Sequence, residues 1–137
     1  MCADPALLLL ASTLLTPLTL PEGTVDVSLG PRGSILCLRP SSPEIVAIVP
    51  GGETSSWDLD GAVLPVSVAS LPDGSFIVCD AATDSILRYS ARAERYDAAA
   101  APPGTVAVAV SGGEVWCFSP DEEAVSAILP TVRRIAR

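Results

Sequence analysis

The stretch LPDGSFIVCDAATDSILRYS, residues Leu71–Ser90, decides the fold. It begins with a turn signal, in which Pro72 presets the first turn angle and Gly74 supplies a positive φ. An apolar run follows, then a polar acidic segment, and then a second apolar run. Turn residues between short runs rich in β-branched side chains are typical of antiparallel strands. The stretch therefore predicts at least two paired strands joined by a short loop.

The same unit occurs three times along the chain. Its turn glycines are Gly33, Gly74 and Gly113, so the repeat length is 41 residues and then 39. First strands precede these glycines and read TVDVSL, PVSVAS and TVAVAV, with valine at alternate positions. Alternation is expected of a half-buried strand. Second strands follow the glycines as SILCL, SFIVC and EVWCF, and their almost continuous apolar character predicts burial on both faces.

Each unit has room for two more strands. Third strands read IVAIV, SILRYS and AVSAIL, and the polar segments SSWDLDG, AERYD and TVRRIAR suit an outer edge strand. Four strands in every 40–50 residues are the signature of a propeller blade. The sequence therefore predicts an all-β, propeller-like repeat of four-stranded antiparallel blades that forms an incomplete ring.

A helical fold is disfavoured because 13 prolines and 10 glycines interrupt the chain every few residues. Only residues 121–129 could begin a helix, and their register with the third strands of the other units favours a strand. The whole chain, residues 1–137, is interpreted as one domain. Its blades are predicted at 23–63, 64–102 and 103–137, and residues 1–22 are interpreted as a half-blade or an N-terminal arm.

The second unit resembles the NHL-type repeat of β-propellers. The resemblance covers Leu64–Ser90 and rests on these residues: Pro65, Asp73, Gly74, Ile77, Val78, Asp80, Ile86 and Arg88. It is weaker in the other units, where Leu38 and Phe118 stand at the place of Asp80. The resemblance implies a propeller without implying one activity, since similar repeats occur in gluconolactonase-like enzymes, in lyases and in propellers that only bind partners.

Composition narrows the possible chemistry. The net charge of −8 argues against nucleic acid as a partner. The sequence has no Lys, His, Asn or Gln, so it offers no imidazole base, no Ser–His or Cys–His nucleophile and no His metal ligand. The resemblance implies that lyase chemistry of the streptogramin type would need a histidine. We therefore predict no catalytic residues, no cofactor and no metal, with Asp80 and Asp84 bonding backbone amides of nearby turns.

The four cysteines, Cys2, Cys37, Cys79 and Cys117, lie far apart and include no CxxC pair. A zinc site needs closely spaced ligand pairs, so none is predicted. Disulfides are an alternative, but no export signal supports an oxidising compartment. We predict buried free thiols with raised pKa values. No apolar run reaches the ~18–20 residues of a membrane helix, so a cytoplasmic protein without a membrane span is expected.

Known propellers close with roughly 4–8 blades. Three and a half blades would leave apolar sheet faces in water, so we expect a protein partner, either a second copy or a different chain, to complete the ring. The predicted function is a non-enzymatic structural or interaction subunit of an oligomer or larger assembly. The alternative is a half-subunit of a propeller hydrolase or lactonase whose metal site forms only on assembly.

Candidate partner-binding residues are Trp57 in a polar outer segment and the basic C-terminal residues Arg133, Arg134 and Arg137. A solvated edge strand would explain the arginines equally well. Trp116 follows a buried pattern and is predicted to belong to the core.

Overall fold

The computed structural model describes residues 18–120, except the side chain of Tyr96, and the backbone of residues 124–128. The predicted half-blade or arm falls largely on residues 1–17 and lies outside this range, as do Cys2 and the basic C-terminal segment. None of the described residues belongs to a helix long and apolar enough to span a membrane.

The described residues form eleven strands, all of them short. The strands are β1 Asp26–Leu29, β2 Ile35–Arg39, β3 Glu44–Ile48, β4 Thr54–Asp58, β5 Pro65–Ser70, β6 Phe76–Asp80, β7 Ser85–Tyr89, β8 Arg95–Ala100, β9 Ala107–Ser111, β10 Glu114–Ser119 and β11 Ala124–Ile128. A single 3₁₀ turn, Pro31–Gly33, joins β1 to β2. The all-β prediction is confirmed, and the described part of the segment with helical character, Ala124–Ile128, is the strand β11.

These strands form three antiparallel sheets in chain order. The first sheet has the order β1-β2-β3-β4, the second β5-β6-β7-β8, and the third β11-β10-β9. Within each sheet, strands adjacent in sequence pair with each other because the loops between them are short. In the second sheet the loop between β5 and β6 turns at Gly74, whose φ of 89° is a conformation that favours glycine.

Each pair of neighbouring sheets encloses one apolar core, so there are two cores among the described residues. The core between the first and second sheets contains Leu36, Leu38, Ile45, Leu59, Val68, Phe76, Val78, Leu87, Tyr89 and Ala93. The core between the second and third sheets contains Ala69, Leu71, Ile77, Cys79, Ile86, Ala101, Val108, Val115 and Cys117. The second sheet contributes both of its faces, which explains why all of β6 is buried.

The continuous apolar pattern of the second strands predicts burial on both faces, and β10 departs from that prediction. Its burial alternates, with Val115 and Cys117 buried, Trp116 half-buried and Phe118 exposed. The prediction of Trp116 as a core residue is therefore wrong. No sheet among the described residues covers the face of β10 that carries Trp116 and Phe118.

Candidate functional site: the outer face of the third sheet

The outer face of the third sheet is apolar and partly open to solvent. It carries Trp116 and Phe118 of β10, which point away from the second sheet because they alternate with the core residues Val115 and Cys117. Phe118 is 43% exposed. A shallow depression of about 140 Å³ runs along the two inner strands of this sheet, lined by Ala107, Val108, Ala109, Trp116, Cys117 and Phe118.

The repeat allows residues of this face to be compared with equivalent residues of the first and second sheets. Phe118 is the equivalent of Cys79 in the second unit and Leu38 in the first, at spacings of 39 and 41 residues. The hairpin registers agree, so the alignment of Leu38 and Phe118 with Asp80 in the sequence is wrong by one residue. Leu38 and Cys79 each have 0% exposure because they pack against the following sheet. Trp116 is likewise equivalent to Ile77 and Leu36, which are buried in the same two junctions. The outer face of the third sheet is therefore the face that, in the other two sheets, contacts the next sheet.

The opposite side of the array has an exposed apolar strand. On β1, Val27 is 45% and Leu29 76% exposed, while Cys37 and Val46 on the same face of the first sheet are buried. The register of the hairpins makes Val68 the equivalent of Val27, and Val68 is only 3% exposed, in the junction with the first sheet.

The innermost strands of the three sheets are linked by a row of side-chain hydrogen bonds. The Asp26 carboxylate accepts from the Ser67 hydroxyl at 3.0 Å and from the Val68 N–H at 2.9 Å. The Ser67 hydroxyl in turn accepts from the Val108 N–H at 3.1 Å. The hairpin registers place Ala107 at the next equivalent position, where a methyl group offers no acceptor. This row, called here the inner-strand ladder, fixes how each sheet is set against the next.

Asp80 has the structural role predicted from its sequence position. The side chain is fully buried, and one oxygen accepts from the Leu64 N–H at 2.8 Å and the Ala82 N–H at 3.2 Å. The other accepts from the Val63 N–H at 3.0 Å and the Thr83 hydroxyl at 3.1 Å. Asp80 therefore ties together the loops on both sides of β6.

Asp84 differs from its prediction as a local turn residue. Its side chain accepts from the Gly104 N–H at 3.4 Å, twenty residues away, and its backbone has a positive φ of 49°. Asp84 thus joins the second sheet to the start of the third unit.

Of the predicted partner-binding residues, only Trp57 lies in the part of the chain that the structure describes. Trp57 is half-buried on the outer strand β4 and packs against the core between the first and second sheets. Arg133, Arg134 and Arg137 lie outside the described residues. Sequence reasoning missed Phe118 as a surface residue. The sequence feature that could have identified it is an aromatic residue at a position where the earlier units have leucine and cysteine.

The described cysteines are buried free thiols, as predicted. Burial, together with nearby Cys117, Asp80 and Asp84, raises the pKa of Cys79 to about 12. Burial also raises the pKa of Cys37 and of Cys117. Thiols in this state are poor nucleophiles at neutral pH. Within the part of the chain that the structure describes, no group of three or more Cys, Asp or Glu side chains could hold a metal ion.

Comparison with solved structures places the sheet array in a known architecture. The chain is similar to hydrazine synthase of Kuenenia stuttgartiensis, with a TM-score of 0.68 and 15% identity over 86% of this chain and 36% of that one. It is similar to a streptogramin B lyase, with a TM-score of 0.67 and 17% identity over 84% and 40% of the two chains. For virginiamycin B lyase of Staphylococcus aureus the TM-score is 0.63, with 15% identity over 76% and 37%.

These solved structures are β-propeller proteins. The three sheets are propeller blades. At 15–17% identity the similarity shows the fold alone, and the chain spans 36–40% of the length of these structures. No protein-family model matches the chain. No curated protein matches it either.

Proposed function

We propose that this chain is a non-enzymatic structural and interaction subunit, built from NHL-type blades, whose outer blade face docks a further blade supplied by another chain. Its blades are the three units at 23–63, 64–102 and 103–137. The observation that carries the proposal is the exposure of Phe118, 43%, at a position where the equivalent Leu38 and Cys79 are completely buried between blades.

The chemistry of the outer face supports a blade as the occupant. On this face the small residues Ala107 and Ala109 lie directly opposite Phe118 and Trp116 on the neighbouring strand. A second sheet can approach the two alanines closely, as sheets pack about 10 Å apart. Fully burying a phenylalanine stabilises by about 1.5–3 kcal/mol, so covering the exposed part of Phe118 contributes roughly 1 kcal/mol.

The test compares two substitutions of an exposed apolar residue by glutamate. The tagged chain is purified under gentle conditions from cells that express it at its native level, and the mass of the intact assembly is measured. Phe118→Glu places a charge on the docking face, whereas Val63→Glu places one at a residue that is 61% exposed in the loop before β5. The unmodified chain and Val63→Glu are expected in an assembly of stoichiometric composition, and Phe118→Glu is expected outside it.

Two results would contradict the proposal. One is an unmodified chain that is monomeric in the native extract. The other is an assembly that survives Phe118→Glu while the variant is shown by circular dichroism to remain folded. The second chain in the assembly is identified by its mass as another copy or as a different protein, which separates the two kinds of partner.

A further inference from the structure

An apolar cleft opens between the first and second blades, away from the face of the third. Its volume is about 290 Å³, at the lower end of the range of small-molecule sites. The apolar lining comes from both blades and includes Leu36, Ala47, Val49, Trp57, Phe76 and Ala91. Arg32, in the turn between β1 and β2, brings a positive charge to the same cleft.

The equivalent turn of the second blade contains a complete ion pair. The Arg88 guanidinium lies 3.0 Å from the Asp73 carboxylate, and it also donates to the Ser75 hydroxyl at 3.3 Å. Asp73 additionally accepts from the Ser75 N–H at 2.9 Å and from the Ser75 hydroxyl. These hydrogen bonds from Ser75, followed by the charge of Arg88, lower the pKa of Asp73 below its ordinary value of 3.8.

The first blade has a turn of the same length at this place, but the turn is closed differently and the pair is altered at both ends. In the first blade the Ser34 N–H donates to the Pro31 carbonyl at 3.0 Å, whereas in the second the Gly74 N–H donates to the Leu71 carbonyl at 3.0 Å. At a spacing of 41 residues, Arg32 stands in place of Asp73, and Ala47 stands in place of Arg88. The aspartate is thus replaced by a cation, and the long arginine side chain by a methyl group. The first change leaves the Arg32 guanidinium without a hydrogen bond or ion pair to any residue that the structure describes. The second leaves a cleft lined by Ala47 instead of a filled surface.

The backbone of Arg32 has an uncommon conformation. Its φ of 58° and ψ of 32° lie in the left-handed region, which costs free energy for a side chain other than glycine, asparagine or aspartate. Gly33 follows it with a φ of 72°. These are the two central residues of a hairpin turn that the Ser34 N–H closes by donating to the Pro31 carbonyl at 3.0 Å, and such a turn requires a positive φ at both. The turn therefore fixes the backbone of Arg32 at the cleft.

We propose that this cleft binds a small carboxylic acid with an apolar body. The ligand carboxylate pairs with the Arg32 guanidinium, which can donate two parallel hydrogen bonds to it. The apolar body fills the space beside Ala47 and contacts the rings of Trp57 and Phe76. The bound acid and Arg32 thereby form an ion pair in the first blade that corresponds to the Asp73–Arg88 pair of the second. In the first blade the positive charge lies in the turn.

The binding measurement uses Trp57 as its reporter. The chain has two tryptophans, so Trp116→Phe leaves Trp57 as the single indole. Fluorescence of this protein is followed during titration with 3-phenylpropionate and, separately, with the uncharged 3-phenylpropanamide. A saturable change is expected with the acid, and binding of the amide is expected to be about tenfold weaker or more, because it lacks the charge-assisted bond.

Three variants assign the effect to the cleft. Arg32→Gly removes the charge at a position whose φ suits glycine, so it should fold normally and lose the preference for the acid. Arg32→Asp combined with Ala47→Arg transfers the pair of the second blade into the first and should abolish saturable binding of both compounds. Arg95→Ala, which removes another exposed arginine, should bind as the parent protein does.

Each alternative result overturns the proposal. Equal affinity for acid and amide would show an apolar cleft that does not recognise a carboxylate. Unchanged binding by the double variant, with its folding verified by circular dichroism, would place the ligand elsewhere. The absence of any saturable change in the parent protein would also contradict it. None of these results bears on the docking face of the third blade.

Discussion

At the scale of single residues, several buried polar groups are joined to specific partners. The buried carboxylate of Asp80 accepts four hydrogen bonds, and the Tyr89 hydroxyl donates to the Asp60 carbonyl at 2.8 Å. Tyr89 also stacks on Phe76 with ring centroids 5.4 Å apart. Because buried polar groups without partners are costly, these residues position the loops around the core between the first two blades.

Tyr89→Phe should lower the free energy of unfolding by about 1 kcal/mol at neutral pH, because the ring stack remains and one hydrogen bond is lost. Burial, opposed by Arg95, raises the pKa of Tyr89 from 10.0 to about 12. A phenol whose pKa is raised on folding favours the folded state below pH 10, and this contribution is lost as the pH rises from 10 to 12.

Chemical denaturation across this pH range provides the measurement. The stability difference between the parent protein and Tyr89→Phe should shrink between pH 10 and pH 12. A constant difference across the range would contradict burial of the Tyr89 hydroxyl.

At the scale of strands, the inner-strand ladder joins β1, β5 and β9 across two blade junctions. Ser67 is its central member because its hydroxyl donates to Asp26 and accepts from the Val108 N–H. Removal of this hydroxyl leaves a buried amide without its partner, and buried unsatisfied donors cost about 1–3 kcal/mol each.

Ser67→Ala is therefore expected to lower the free energy of unfolding by about 1–3 kcal/mol in urea denaturation. Ser56→Ala is the matched control, since Ser56 is exposed on the outer strand β4. It should stay within about 0.5 kcal/mol of the parent protein. Equal effects of the two substitutions would show that the ladder does not stabilise the junctions.

The spacing of the turn glycines was sufficient to predict the strands and their antiparallel order. It could not predict the ladder, because Asp26 and Ser67 differ in residue type, and only the three-dimensional register brings them together. Nor could it show that Phe118 is exposed, since an apolar strand has the same sequence pattern whether one or both faces are covered. Asp80 was predictable because an aspartate after a buried strand and before a polar loop has backbone amides within reach.

At the scale of the whole molecule, stability is expected to be greatest at the centre and to decrease toward the outer strands. The strand β6 pairs with β5 and β7, and its two faces contribute to both cores. The strand β4, at the outer edge of the first blade, has exposed residues at alternate positions. In arrays of repeated units, each unit is stabilised mainly by its neighbours, and the middle unit has two.

Native-state hydrogen exchange tests this order. The backbone amides of Phe76–Asp80 should exchange most slowly, and those of Thr54–Asp58 should exchange among the fastest of the strand residues. Comparable protection of β4 and β6 would mean that the array opens as one unit, without the expected gradient.

The inner-strand ladder has a direction, since a side chain of one blade always accepts the amide of the next. A tandem duplicate of the second blade would bring its own copies of both partners, the Ser67 hydroxyl on one side and the Val68 amide on the other. It could thus be inserted beside the original without any compensating substitution in this strand. Proteins built in this way can change their number of blades through a single internal gene duplication, and the new junction is already bonded when it first appears.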